Sequence, residues 1–115
     1  MTHPEHNLQC ACVKWFRLQY PKYKLRLWAT PNAAIRSPQQ GQRMKAEGML
    51  AGVPDLFLAV TTERSAGLFI EMKAGKGRLS ESQKTMLTEL KSAGYNIAVC
   101  NSFDGFKDIV ENYLK

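Results

Sequence analysis

The sequence predicts an α/β domain in which about four short strands are flanked by helices. Apolar residues recur at helical spacing near both ends of the chain, which is typical of amphipathic helices packed on a core. Between them lie short apolar runs separated by polar or glycine-containing turns, and these runs indicate strands. A length of 115 residues allows a hydrophobic core, so we expect residues 1–115 to form a single domain.

The first predicted helix spans about Glu5 to Gln19, because Pro4 suits a first helical turn and Pro21 ends the pattern. Its expected apolar stripe consists of Leu8, Ala11, Cys12 and Trp15. Residues Leu25 to Thr30 follow as a predicted strand. Side chains alternate between the two faces of a strand. One face would therefore carry Leu25, Leu27 and Ala29.

The segment from Pro31 to Gly52 is rich in proline and glycine, which predicts turns. Within it, Ser37 and Pro38 favour a short helix that runs through Met49, with the serine as its cap. The segment is also basic, because it contains Arg36, Arg43 and Lys45. These side chains either form a solvated surface or contact nucleic acid.

The next two apolar runs, Asp55 to Val60 and Leu68 to Lys73, are separated by a polar turn and predict an antiparallel hairpin. Ser80 and Gln83 have the spacing of a capping box, so a helix should begin at Ser80. We expect that helix to end near Gly94. Its predicted buried face consists of Met86, Leu87, Leu90 and Ala93.

The last predicted elements are a strand from Asn96 to Cys100 and a helix from about Ser102 to Leu114. The helix should bury an apolar stripe on the core. That stripe consists of Phe106, Ile109, Val110 and Tyr113.

The composition favours a soluble protein with a polyanionic partner. Lysine and arginine total 16 against 10 acidic residues, which gives a formal charge of +6. No apolar run is long enough to cross a membrane, and no secretory signal opens the sequence. The three cysteines form no CxxC pair and are expected to be free buried thiols. We therefore expect a cytoplasmic protein.

The hairpin carries the residues that indicate chemistry. Because side chains alternate along a strand, Glu71 and Lys73 project side by side from the end of a mostly apolar strand. A salt bridge on a solvated sheet face is the simple alternative. Asp55 follows Pro54 at the start of the paired strand, so the hairpin brings a second carboxylate near Glu71.

Two carboxylates held close together repel each other unless a bound cation keeps both ionised. Hard oxygen ligands suit Mg²⁺, for which Mn²⁺ can substitute. Such an ion supports phosphodiester hydrolysis by polarising phosphate and activating water. A neighbouring lysine stabilises charge in the transition state. The sequence contains no P-loop for a nucleotide cofactor.

The chain resembles the PD-(D/E)XK nucleases and, more narrowly, the VRR-Nuc (virus-type replication-repair nuclease) family. The matching motifs are Glu5-x-x-x-Gln9, Gly52-Val53-Pro54-Asp55-Leu56, Glu71-Met72-Lys73 and Gly77-x-x-Ser80-x-x-Gln83. The resemblance implies a restriction-endonuclease-like core with a mixed central sheet of about four strands. It also implies a magnesium-dependent endodeoxyribonuclease.

The resemblance further implies a role for each matching residue. Asp55, Glu71 and the backbone carbonyl of Met72 would be metal ligands, and Lys73 would be the catalytic lysine. Glu5 would reach the metal directly or through water, unless it serves only the dipole of its helix. Gln9, Ser80 and Gln83 would support the site, and Gln83 would also belong to the catalytic residues. The alternative is that Ser80 and Gln83 form only a capping box.

The small members of this family are found in phages and bacteria, so the resemblance implies the cytoplasm of a bacterium or a phage-infected host cell. They also suggest a homodimer that cuts branched DNA such as Holliday junctions, with two active sites related by a two-fold axis. Trp15, Phe16, Trp28 and the last helix could supply an apolar interface, although core packing could equally use them. Lys76 and Arg78, together with the basic residues of the middle segment, would contact the DNA backbone. The alternatives are a non-catalytic junction-binding protein of the same fold and a sequence-specific restriction-type endonuclease.

Overall fold

A computed structural model describes residues 3–31 and 37–115. The helices are α1 (Pro4–Gln19), α2 (Pro38–Ala46), α3 (Glu81–Ser92) and α4 (Phe103–Leu114). The strands are β1 (Leu27–Ala29), β2 (Leu56–Leu58), β3 (Leu68–Met72) and β4 (Asn96–Cys100). A 3₁₀ helix, Pro21–Arg26, joins α1 to β1. The predicted DNA contact Arg36 lies outside the described residues.

The four strands form one mixed sheet in the order β1-β2-β3-β4. β2 pairs antiparallel with both β1 and β3, so the predicted hairpin is confirmed. β4 pairs parallel with β3, because α3 carries the chain back to the other end of the sheet. The predicted α/β fold with a mixed four-stranded sheet is therefore confirmed.

The hydrophobic core lies between one face of the sheet and the helices α1 and α4. The helices contribute Cys12, Phe16, Phe106 and Val110, all fully buried. The sheet contributes Leu27, Leu56, Leu58, Leu68, Ile70, Met72 and Cys100. Burial of each large apolar side chain contributes roughly 1.5–3 kcal/mol, so this face fixes the register of the strands. The strand residues between these core positions project from the opposite face of the sheet, where Glu71 lies.

The opposite face of the sheet carries a cluster of aromatic rings. The Phe57 and Phe69 rings lie 4.4 Å apart, and Trp28 and Tyr95 contact them edge-on. α3 lies beside β4 and buries Leu87. The aromatic cluster leaves Trp28 46% exposed at the edge strand.

Several local predictions were wrong. Leu25 lies in the 3₁₀ helix and is 85% exposed, because the chain becomes extended only at Leu27. Ala11 and Ala93, which were predicted to be buried, are exposed. On α1, Phe16 is buried together with Cys12. α2 ends at Ala46 rather than Met49, because Gly48 adopts a φ of 110° that no helix continues.

Two further expectations need correction. Cys10 is exposed, so only two of the three thiols are buried. Phe16 is fully buried and has no surface to offer an interface.

Within residues 3–31 and 37–115, none of the helices has both the length and the apolar character that a membrane span requires.

Candidate active site

The backbone around Asp55 is fixed by the end of β1. The Thr30 amide donates to the Asp55 carbonyl at 2.9 Å, and the Thr30 hydroxyl donates to the Pro54 carbonyl at 2.5 Å. Pro54 is fully buried and cannot donate to a ladder, which suits the start of a strand. These contacts direct the Asp55 side chain toward the neighbouring strand end.

The Asp55 carboxylate reaches across to β3. Its Oδ2 accepts a 2.7 Å hydrogen bond from the backbone amide of Met72. Met72 directly follows Glu71, so the bond places the Asp55 and Glu71 carboxylates at adjacent strand ends. The predicted convergence of these two residues is thus present in the structure.

Glu71 is a carboxyl group held in an almost solvent-free position, with 3% of its surface exposed. Its Oε1 accepts a 2.9 Å hydrogen bond from Nε2 of Gln83. Its Oε2 is buried and has no hydrogen-bond partner among the described residues. Burial raises the pKa of Glu71 to about 8, and the charge of Asp55 adds to this rise while Lys73 opposes it.

Gln83 is held by the capping box that begins α3. Its side-chain carbonyl accepts from the Ser80 amide at 2.8 Å, and the Ser80 hydroxyl accepts from the Gln83 amide at 3.2 Å. The side-chain amide nitrogen of Gln83 remains for Glu71. Gln83 therefore caps α3 and donates to the Glu71 carboxylate at the same time.

A close backbone contact joins the Asp55 loop to α3. Gly52 has a φ of 88°, and a Cβ at this position would lie 2.4 Å from the Ser82 carbonyl oxygen. Only glycine allows both the left-handed conformation and this approach. The contact fixes the loop that carries Asp55 against the helix that carries Gln83. Its only sign in the sequence is the glycine of the Gly-Val-Pro-Asp motif.

The side chains of Lys73 and Glu5 both lie beside Gly77. A Cβ at Gly77 would lie 3.4 Å from Cδ of Lys73 and 3.6 Å from Oε1 of Glu5. Glu5 is close enough to the site to contribute to the raised pKa of Glu71. The lysine and the acid of the first helix therefore share one side of the site.

A cleft of about 560 Å³ opens between Asp55 and the start of α1. Asp55, Met72 and Thr30 lie on one wall, and residues of α1 including Glu5 and Gln9 lie on the other. Gln9 thus lines the cleft, and its supporting role stays a prediction. Thr30 and Gly52 are site-building residues that the sequence analysis missed, because their roles depend on contacts with distant segments.

The predicted DNA-contacting residues are all exposed where the structure describes them. Lys76 and Arg78 lie in the loop between β3 and α3, close to the site in sequence. Arg43 and Lys45 lie in the last turn of α2. None of these four makes a salt bridge among the residues described.

The donor set fits a hard divalent cation better than a soft one. The buried Oε2 of Glu71 has no partner in the part of the chain that the structure describes, and beside a second carboxylate it is an oxygen that a divalent cation would satisfy. Across residues 3–31 and 37–115, no three His, Cys, Asp or Glu side chains form a metal-binding group. A cation here would therefore need backbone oxygen, water or substrate to complete its shell.

The mixed sheet with flanking helices and this site define a nuclease-type α/β domain, and comparison with known proteins agrees. The chain matches the family model of the VRR-NUC domain over residues 1–104. It is similar in fold to a solved structure described as a VRR_NUC domain protein, with a TM-score of 0.84 and 23% identity. That alignment covers 99% of this chain and 90% of the other.

No curated protein matches the chain. The chain belongs to the VRR-NUC domain family, because the family model spans most of its length. The predicted family is thus confirmed, and membership suggests nuclease activity with DNA as the substrate.

Proposed function

We propose that the chain is a Mg²⁺-dependent endonuclease that hydrolyses DNA phosphodiester bonds, with Mn²⁺ able to replace Mg²⁺. The observation that carries the proposal is the paired carboxylate site. Asp55 accepts from the Met72 amide, and one oxygen of the buried Glu71 has no hydrogen-bond partner within residues 3–31 and 37–115. Burial of a second carboxylate beside the first is unfavourable unless a cation compensates it.

Asp55, Glu71 and the Met72 carbonyl would hold the cation, with Glu5 contributing through water. When bound, the ion would polarise a phosphate oxygen and lower the pKa of a coordinated water. Gln83 keeps the Glu71 carboxylate in one orientation through its 2.9 Å hydrogen bond. Lys73 places a positive charge at the same strand end, where it can stabilise the charge that develops on the scissile phosphate.

The preferred substrate is proposed to be branched DNA, such as a four-way junction, cut by a homodimer. The exposed basic residues of α2 and of the β3–α3 loop would contact phosphates, which positions a substrate without reading its sequence. Two copies related by a two-fold axis would match the symmetry of a junction. The exposed parts of α4 are proposed to supply such a contact.

The test is cleavage of an end-labelled four-way junction with Mg²⁺ or Mn²⁺. Wild type should cut, and EDTA, Asp55→Asn or Glu71→Gln should abolish the product. Glu63→Gln is the matched control, because Glu63 is exposed in the turn between β2 and β3 and does not line the cleft. Equal cleavage by Glu71→Gln and wild type would refute the assignment of the site.

A panel of substrates separates the related possibilities. Junction, flap, splayed-arm, single-stranded and linear duplex DNA should be compared at the same metal concentration, with RNA included. Faster cleavage of branched forms supports the proposal. Discrete fragments from linear duplex would indicate a restriction-type enzyme, and junction binding without product would indicate a binding protein.

A further inference from the structure

A second groove continues from the catalytic cleft along the first helix. It lies between α1 and the edge strand β1, has a volume of about 530 Å³, and is lined in part by Lys14, Arg17, Leu18 and Trp28. We call it the α1–β1 groove. Gln9 and Cys10 line both this groove and the catalytic cleft, so the two are continuous.

We propose that the α1–β1 groove binds an unpaired stretch of the DNA strand that leads to the scissile phosphate. This inference rests on the proposed nuclease function and names the form of substrate that the site prefers. It assigns phosphate contacts to Lys14 and Arg17 and a base-stacking contact to Trp28.

The charge of the groove fits a polyanion. Lys14 and Arg17 are exposed on α1, one helical turn apart. The Arg17 guanidinium donates to the Leu27 carbonyl at 3.3 Å, which holds it at the edge of β1. A guanidinium has five donors, so this bond leaves others for phosphate. None of the described residues that line the groove is acidic, in contrast to the catalytic cleft.

The apolar residues of the groove fit bases rather than a duplex backbone. Trp28 is 46% exposed, and Leu18 is 74% exposed. The Trp28 ring contacts Phe57 edge-on at 5.5 Å on the sheet face away from α1, so a base would stack on it where the strand passes the free edge of β1. Bases stack on such exposed aromatic rings when they are unpaired, and this contact tolerates any sequence.

The length of the groove suits a short strand. Gln9 to Leu18 spans about 13 Å along the helix at the usual rise per residue. This distance corresponds to about four nucleotides at the roughly 3.4 Å spacing of a stacked strand. A branched substrate supplies unpaired nucleotides where its arms meet, so the groove would favour branch points over continuous duplex.

The test measures binding without cleavage. Fluorescein-labelled oligothymidylate and a blunt duplex of equal length are titrated in EDTA, with anisotropy as the signal. The variants are Lys14→Gln/Arg17→Gln and Trp28→Leu. The matched control is Lys91→Gln/Lys115→Gln, which removes the same charge from exposed residues at the far end of α3 and after α4.

Wild type should prefer the oligothymidylate, and either groove variant should weaken its binding by about tenfold, while the control changes it little. The salt dependence should also fall for the double groove variant, with a slope smaller by about 1.4, since each phosphate contact to a single strand contributes about 0.7. Intrinsic tryptophan fluorescence should be quenched by oligothymidylate in wild type but not in Trp28→Leu.

Equal loss in the groove and control variants, or no preference of wild type for the single strand, would overturn the proposal. Lys14→Gln alone is included because Arg17 also supports the fold through Leu27, and thermal unfolding checks each variant. If the α1–β1 groove binds oligothymidylate but no DNA substrate is cut with metal, the nuclease proposal fails. The proposal that the groove binds unpaired DNA then still stands.

Discussion

Gln83 donates from its side-chain nitrogen to Glu71 at 2.9 Å, while its side-chain oxygen accepts from the Ser80 amide at 2.8 Å. One glutamine therefore caps α3 and orients the buried carboxylate of β3. A single amide group has both functions because its oxygen and nitrogen point in different directions. The stability of the helix and the geometry of the site are thus linked at Gln83, and substitutions can separate them.

We expect Gln83→Ala to weaken Mn²⁺ binding about ten- to a hundredfold, the usual effect of losing a group that orients a metal ligand. Isothermal titration calorimetry measures this affinity. Gln40→Ala is the matched control, because Gln40 and Ser37 form the same capping box on α2. Ser80→Ala should lower stability by about 1 kcal/mol with a smaller effect on the metal. Equal affinities of Gln83→Ala and Gln40→Ala would contradict the role of Gln83.

The raised pKa of Glu71 predicts the pH dependence of stability in the metal-free protein. The folded state holds the proton up to about pH 8, whereas the unfolded state releases it near 4.5. Between these two values the folded state binds more protons than the unfolded state. The contribution of Glu71 to the free energy of unfolding is therefore highest below pH 4.5 and falls as the pH rises to about 8. Thermal unfolding in EDTA across this pH range measures the fall in stability.

Glu71→Gln should remove most of that fall and raise the melting temperature at pH 8, because the neutral amide needs no proton. Mn²⁺ should stabilise wild type at pH 8 and have little effect on Glu71→Gln, since a ligand that binds only the folded state shifts the equilibrium toward it. A slope with pH that is unchanged in Glu71→Gln would show that another group is responsible.

The contact between Gly52 and Ser82 predicts a large cost for adding one methyl group. Gly52→Ala would place Cβ 2.4 Å from the Ser82 carbonyl oxygen, so we expect a loss of about 4 kcal/mol or more. Gly48→Ala is the matched control, because Gly48 also has a positive φ but a Cβ there would lie within 4 Å of no atom of the described residues. It should cost only about 1–2 kcal/mol. Urea unfolding measures both, and similar losses would contradict the importance of the contact.

Lys73 should contribute to the rate rather than to metal binding. We expect Lys73→Ala to bind Mn²⁺ with an affinity near that of wild type and to cut DNA roughly a hundredfold more slowly. Single-turnover cleavage measures the rate, and calorimetry measures the affinity. Lys91→Ala is the control, because Lys91 is exposed in the last turn of α3 and has no proposed contact with DNA. A loss of metal binding in Lys73→Ala would assign the lysine a structural role instead.

The sequence predicted most of the elements because their signals are local. The alternation of Leu68, Ile70 and Met72 and the capping box at Ser80 depend only on near neighbours, and the structure confirms both. The convergence of Asp55 with Glu71 followed from the hairpin, which is also a short-range feature. The identity of the family followed from the order of the motifs.

The parts that sequence could not predict depend on distant contacts. Thr30 supports Asp55 across two strands, and Gly52 contacts α3 some thirty positions later in the chain. Leu25 has a strand-like pattern, but the turn after α1 holds it in a 3₁₀ helix and exposes it. In each case the tertiary arrangement decides the role of the residue, and no local pattern reports it.

The most direct test of the cation site is crystallography with Mn²⁺ at pH 8, using the anomalous signal of manganese. We predict one strong anomalous peak within bonding distance of the Asp55 and Glu71 carboxylates, absent from crystals of Glu71→Gln. An anomalous map with no peak at these two residues, at a manganese concentration that saturates the calorimetric titration, would contradict the proposed metal-dependent site.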